Sequence, residues 1–121
     1  MAAINIKRIY KPAEKTDGFR ILVDRLWPRG ISKEAAHLDL WLKEIAPSTE
    51  LRKWFHSSDT ADRWDEFKAK YLIELKQNDA VKELLNIINN NQTVSLLYAV
   101  PDEDHNHALI LKEFIAGFER L

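Results

Sequence analysis

Residues 93–100 read Thr-Val-Ser-Leu-Leu-Tyr-Ala-Val (TVSLLYAV), a nearly continuous apolar run containing β-branched and aromatic residues. Such a run predicts a strand covered on both faces, as found in a parallel sheet with helices on either side. That makes it the central strand of the chain. Just upstream, Asn89-Asn90-Asn91-Gln92 is a turn signal, because these amides bond readily to nearby backbone. Further upstream, Trp64, Phe67, Tyr71, Leu72 and Leu75 recur at helical intervals, and Val81, Leu84, Leu85 and Ile88 do the same. Downstream, a last helix is expected from about His105 to the end of the chain, with Leu111, Phe114, Ile115 and Phe118 as its buried stripe.

Toward the front of the chain, Ile4–Tyr10 alternates apolar and polar residues. Gly18–Leu26 sets Phe19, Ile21 and Val23 on one side and Leu22 and Leu26 on the other. Both read as strands. The linker KPAEKTD between them suits a hairpin or a cramped crossover, so parallel and antiparallel pairing both stay open. Gly30–Ser48 supports two readings, since Leu38, Leu40 and Leu42 alternate like a strand while Leu38, Trp41, Leu42 and Ile45 have helical spacing. After Pro47, Ser48 is placed to cap a short helix through Phe55. The whole pattern predicts a single small three-layer α/β domain over residues 1–121, with a short, mainly parallel sheet flanked by helices.

Composition narrows the function classes. The 121 residues carry 18 Lys+Arg against 19 Asp+Glu, a net charge of −1. No global field draws the protein to nucleic acid or anionic lipid, so any anion site must be local. The absence of cysteine removes thiol nucleophiles, disulfides and thiolate metal sites. The sequence MAAINIKRIY lacks an apolar signal core, and no run approaches the roughly 20 apolar residues that span a bilayer. The expectation is a cytoplasmic protein with no membrane partner.

Two polar clusters follow predicted strands: VDRLWPRG (23–30) and YAVPDEDHNHA (98–108). In open α/β sheets ligands bind beyond the carboxyl ends of strands. If the two strands are parallel neighbours, both clusters reach one rim. His107 lies four residues before Leu111, on the inner stripe of the last helix, and helical side chains lean toward the N-terminus. It should therefore face the rim, with Asn106 beside it and His105 turned outward. Arg25 and Arg29 supply guanidinium forks suited to phosphate or carboxylate, with Pro28 fixing the turn between them. Trp27 and Tyr98 are candidates for contact with a planar or apolar part of a ligand, Asn106 for orienting it, and His107 with Asp24 for acid–base chemistry.

Structural alternatives apply to each of these residues. Asp24 could form an internal ion pair with Arg25 or Arg29. His107 could be a satisfied core histidine, and Asp102, Glu103 and Asp104 suit capping better than acid–base work. Trp41, Trp54 and Trp64 read as core. Metal binding is weakly supported, because His105 and His107 are two apart and point to different sides of a helix, while His37 and His56 have no ligand at a recognisable spacing. There is no glycine-rich phosphate loop, Ser48 lacks the context of a nucleophile elbow, and no residue pattern specifies a cofactor.

The combination of LVDRLWPRG, EIAPS followed by LRKWF, and LLY with a downstream NHA resembles the bacterial YeaO-like branch of the domain of unknown function 488. The resemblance covers nearly the whole chain and implies a compact α/β domain, without bringing a reaction. Carried over by position, its motif residues include Asp24 to Gly30, Pro47, Ser48, Leu51, Arg52 and His56, and then Tyr98, Asn106, His107 and Ala108. Relatives often have a small residue and a lysine after the LLY strand, where this chain has Val100 and Pro101. That loss of a cation shifts the charge burden to Arg25 and Arg29.

Three functions compete at this point. The first is a small enzyme, or a former one, acting on an anionic metabolite such as a nucleotide or a phosphorylated or carboxylated compound. The second is a ligand-sensing or protein-interaction module without turnover. The third is nucleic-acid binding through Lys7, Arg8, Lys11 and Lys15 beside Tyr10, which the near-neutral charge argues against.

Overall fold

The structure is a computed structural model that describes residues 2–119. Met1, Arg120 and Leu121 lie outside it, and with them the last residues of the expected final helix. Four strands, β1 (Ala3–Arg8), β2 (Phe19–Leu22), β3 (Leu40–Trp41) and β4 (Thr93–Tyr98), form one all-parallel sheet in the order β1-β4-β2-β3. The TVSLLYAV segment supplies the inner strand that pairs with both β1 and β2. The two N-terminal strands run parallel and never pair with each other, because β4 lies between them. Their linker is fastened against the sheet by Lys7, which donates to the Pro12 carbonyl and to Asp17, and by Ser95, whose hydroxyl donates to the Asp17 carbonyl.

The period-two pattern sorts residues to two faces. Val94, Leu96 and Tyr98 join Ile21 and Val23 on a first face, under α2 (Thr49–His56), α3 (Thr60–Lys76), α4 (Ala80–Asn89) and α5 (His107–Glu119). Leu22 and Leu97 meet Ile9 and Ala36 on the second. That second cover is thin: the one-turn α1 (Lys33–Ala36) together with Trp27, Ile31, Leu38 and Trp41. A buried ion network reinforces it. Arg20, 5% exposed, donates to Asp17 and to the carbonyls of Ala36 and His37. Burial pushes the Asp17 carboxyl up, but the Glu14 amide, Lys7 and Arg20 together outweigh this and hold it below the usual carboxylate value.

Gly18 shows why β2 must begin where it does. Its φ is +66° and ψ is −136°, and a Cβ there would lie 2.3 Å from the Thr93 carbonyl oxygen. Only glycine lets the chain pass this close to the start of β4.

Several element ends differ from the expected ones. β2 stops at Leu22 because, after the Val23 amide bonds the Leu97 carbonyl, the next β4-side donor, Ala99 N–H, is taken by the Asp24 side chain rather than by backbone. Leu26, expected to share the strand face of Leu22, is consequently outside the strand and 60% exposed. The ambiguous 30–48 segment divides, with Leu40–Trp41 forming a strand and Lys43–Ile45 a single 3-10 turn. Ser48 caps α2 as expected, its hydroxyl oxygen accepting from the Leu51 amide, and Glu74 of α3 accepts from both the Ser48 amide and its hydroxyl. α5 starts at His107, and Phe118 is 41% exposed, meeting Phe114 edge-on at the rim of the core. No helix among the described residues is long and apolar enough to cross a membrane.

Candidate functional site: a cationic crevice at the strand ends

β2 continues into the segment that covers the second face, whereas β4 continues into α5 on the first. Neighbouring parallel strands whose exits part in this way leave a crevice at their carboxyl ends. A cavity of about 400 Å³ occupies that position. Its walls come from both polar clusters, Asp24 to Arg29 after β2 and Ala99, Val100 and His105 to His107 after β4, and from Ala46, Pro47, Arg52 and His56 at the α2 side. Phe55 and Phe67, buried and stacked at 3.9 Å, form an apolar floor.

Asp24, Arg25, Trp27, Arg29, Asn106 and His107 all line this one cavity. Asp24 Oδ2 accepts from the Ala99 amide at 3.0 Å and pairs with neither neighbouring arginine. His107 Nε2 lies 2.9 Å from the Val23 carbonyl oxygen and 3.1 Å from Asp24 Oδ1. A carbonyl oxygen only accepts, so Nε2 carries a hydrogen. His107 therefore clips α5 to the end of β2 and faces the rim, as its place on the helical stripe requires. Asn106 is the N-cap of α5: its side-chain oxygen accepts from Leu109 N–H, and its amide nitrogen donates to the Asp102 carbonyl. Trp27 donates its indole N–H to the Ile31 carbonyl and packs edge-on against Trp41.

The arginines divide into two kinds. Arg25 Nε and Nη2 donate to the carbonyls of Pro47 and Ala46, at 3.2 and 3.1 Å, fixing the chain that leads into α2. Arg29 is exposed at the mouth, where its carbonyl, not its guanidinium, accepts from the Tyr10 hydroxyl. Arg52, which the motif includes but to which the residue pattern assigns no role, has a buried Nε with no hydrogen-bond partner among the described residues. His56, one turn further along α2, has its proton affinity lowered by burial first, then by Arg52 and His107, with Asp24 opposing. The signal that could have found this pair is spacing, since residues 52 and 56 are i and i+4 and each follows a buried residue, Leu51 and Phe55.

Two placements differ from the sequence reading. Tyr98 does not line the cavity: at an even position of β4 it shares the face of Val94 and Leu96, is 3% exposed, and has its hydroxyl pKa raised by burial. His105 is not turned outward. It precedes the helix, lies 3.0 Å from Asp102 through Nδ1, meets Trp64 edge-on, and lines the cavity. Asp102 also accepts from the amides of Asp104 and His105, so it braces the turn. The basic N-terminal residues are largely engaged within the fold, with Lys7 on Asp17, Arg8 on the carbonyls of Ala99 and Val100, and Lys11 on Glu103.

Fold and crevice together define a parallel α/β domain whose strand-end cavity is lined by three arginines and one carboxylate, Asp24. Residues 3–119 match the family described as the Inactive DUF488-N3 subclade, and the chain belongs to that family. It is 49% identical over 112 residues to Uncharacterized protein YeaO of Escherichia coli (strain K12), covering 93% of this chain and 96% of that protein. It is 35% identical over 114 residues to Uncharacterized protein Rv3073c of Mycobacterium tuberculosis (strain ATCC 25618 / H37Rv), covering 94% of each. No solved structure matches the chain.

Proposed function

We propose that the crevice binds a small organic anion and holds it without chemical turnover. The observation that carries this reading is the imbalance of charge at the cavity: the guanidiniums of Arg25, Arg29 and Arg52 against the single carboxylate of Asp24, on a chain with net charge −1. In a partly desolvated crevice such a cluster favours an anion far more than it would on open surface.

The non-catalytic half rests on where the acid–base groups are spent. His107 Nε2 donates to the Val23 carbonyl, Asp24 Oδ2 accepts from Ala99, and Asn106 caps α5. These side chains serve the scaffold before they meet any ligand. The family's description as inactive agrees with this. The competing reading is an enzyme acting on the same anion, with His56 as its base, since its lowered proton affinity favours the neutral, proton-accepting form.

Thermal unfolding with organic phosphates and dicarboxylates tests both halves. A ligand at about one hundred times its Kd stabilises a fold by about 2.7 kcal/mol. In a domain of this size that raises Tm by roughly 10 °C. A saturable rise in the wild type, absent from an Arg29→Ala, Arg52→Met double variant, is the expected result. Equal responses of the two proteins overturn the site. Mass spectrometry of the bound anion after prolonged incubation is expected to recover it unchanged, and a new product establishes the enzyme reading instead.

A further inference from the structure

Resting on the anion site above, we infer that the ligand carries its own hydrogen-bond donor beside the anionic group, as a hydroxy acid or an amino acid does. Among the described residues, two buried side-chain polar atoms have no hydrogen-bond partner: Asp24 Oδ1 and Arg52 Nε. Both residues line the same cavity. Elsewhere the fold saturates its buried charges, as the Asp17–Arg20 network shows with contacts to Lys7, Ala36 and His37. Buried polar groups are normally paired, so two orphans at one cavity mark a place built to receive something.

The two atoms ask for opposite partners. A carboxylate oxygen only accepts and a guanidinium N–H only donates. Oδ1 lies 3.1 Å from His107 Nε2 but has no hydrogen bond from it, because the single hydrogen on that nitrogen is directed to the Val23 carbonyl, while the other carboxylate oxygen is taken by Ala99. A plain anion would satisfy Arg52 and bring like charge to Asp24; a plain cation would do the reverse. A molecule with a carboxylate or phosphate toward Arg52 and a hydroxyl or ammonium toward Asp24 satisfies both. A cavity of about 400 Å³ is at the small end of ligand pockets, in keeping with a compact ligand of this kind.

The test is calorimetric titration of the full chain with three probes of similar size: lactate, alanine and propionate. A hydrogen bond to a charged group changes affinity by about ten- to a hundredfold. Lactate or alanine is expected to bind at least about tenfold more tightly than propionate, and the stronger of the two identifies the donor as hydroxyl or ammonium. Asp24→Asn keeps an oxygen for Ala99 and replaces the orphan acceptor with a donor, so the ratio is expected to fall to near one. Arg52→Met is expected to weaken all three probes together and preserve the ratio, which keeps the test valid if Asp24→Asn fails to fold. Equal binding of lactate, alanine and propionate to the wild type overturns this inference and leaves the anion site standing. No saturable binding of any probe overturns both.

Discussion

Arg25 and Arg52 line one cavity yet should respond to mutation in opposite ways. Replacing Arg25 with Met removes two charge-assisted hydrogen bonds and strands the carbonyls of Ala46 and Pro47, both buried residues. Hydrogen bonds to charged groups contribute about 1.5–3 kcal/mol each. Two would give about 3–6 kcal/mol, and because Arg25 is only half-buried, water access reduces this to about 2–3 kcal/mol. Arg52→Met removes a buried donor that no group in the described chain satisfies, while a methionine retains most of the aliphatic packing. Its expected effect is within about 0.5 kcal/mol of zero, and relief of desolvation makes a gain as natural as a loss. Urea unfolding followed by tryptophan fluorescence reads both, and for m-values of about 1–3 kcal/mol/M the Arg25 variant should lose about 0.7–3 M in midpoint. Anion affinity should show the reverse order, with Arg52→Met the more damaging. Equal destabilisation by the two variants would refute the division between a structural and a ligand-directed arginine.

Gly18→Ala combines a backbone conformation forbidden to L-residues with a Cβ inside the Thr93 carbonyl, at about 1–3 kcal/mol for each effect. Gly30→Ala has the positive φ but open space and should lose only about 1–2 kcal/mol, a difference that denaturant titration of the pair resolves. Asp17 has a folded pKa below its unfolded value of 3.8, so its stabilisation is complete above that pH and disappears as pH falls through the lowered value. Asp17→Asn, which strands Arg20, should cost about 3 kcal/mol near neutrality and flatten the acid limb of the stability curve. The His56 imidazole is also lowered in the folded chain, so between its folded value and 6.5 the unfolded chain binds more protons and stability rises with pH. An anion arriving beside it draws the proton back. Affinity should therefore increase as pH falls into the range where the bound imidazole takes up a proton, and His56→Gln should weaken that dependence in calorimetric titrations.

What the sequence discloses, and what it conceals, follows from the range of the interactions. TVSLLYAV declares an inner parallel strand because burial on both faces leaves a local composition, and Ser48 declares a helix start because capping acts over three residues. The His107 stripe carries its side chain to the rim by helix geometry alone. The insertion of β4 between β1 and β2 has no local signature, since it depends on contacts such as that of Ser95 with the Asp17 carbonyl, 78 residues apart. The same limit applies within the site. Asp24 beside two arginines reads locally as their ion-pair partner, but its one hydrogen-bond donor, the Ala99 amide, and the His107 ring beside it lie more than seventy residues away. Tyr98 reads as a rim residue from its place at a strand end, and strand parity turns it inward instead.

The central claim is that the segments after β2 and β4, with α2, make one anion-binding cavity. Its most direct test is a titration of nitrogen-15-labelled protein with an organic phosphate, observing the arginine Nε and histidine ring signals together. The account predicts that Arg52 Nε, His56 and His107 shift along one common saturation curve, while His37, exposed and outside the cavity lining, stays unchanged. Signals that move without saturating, or that move equally at His37, would contradict it.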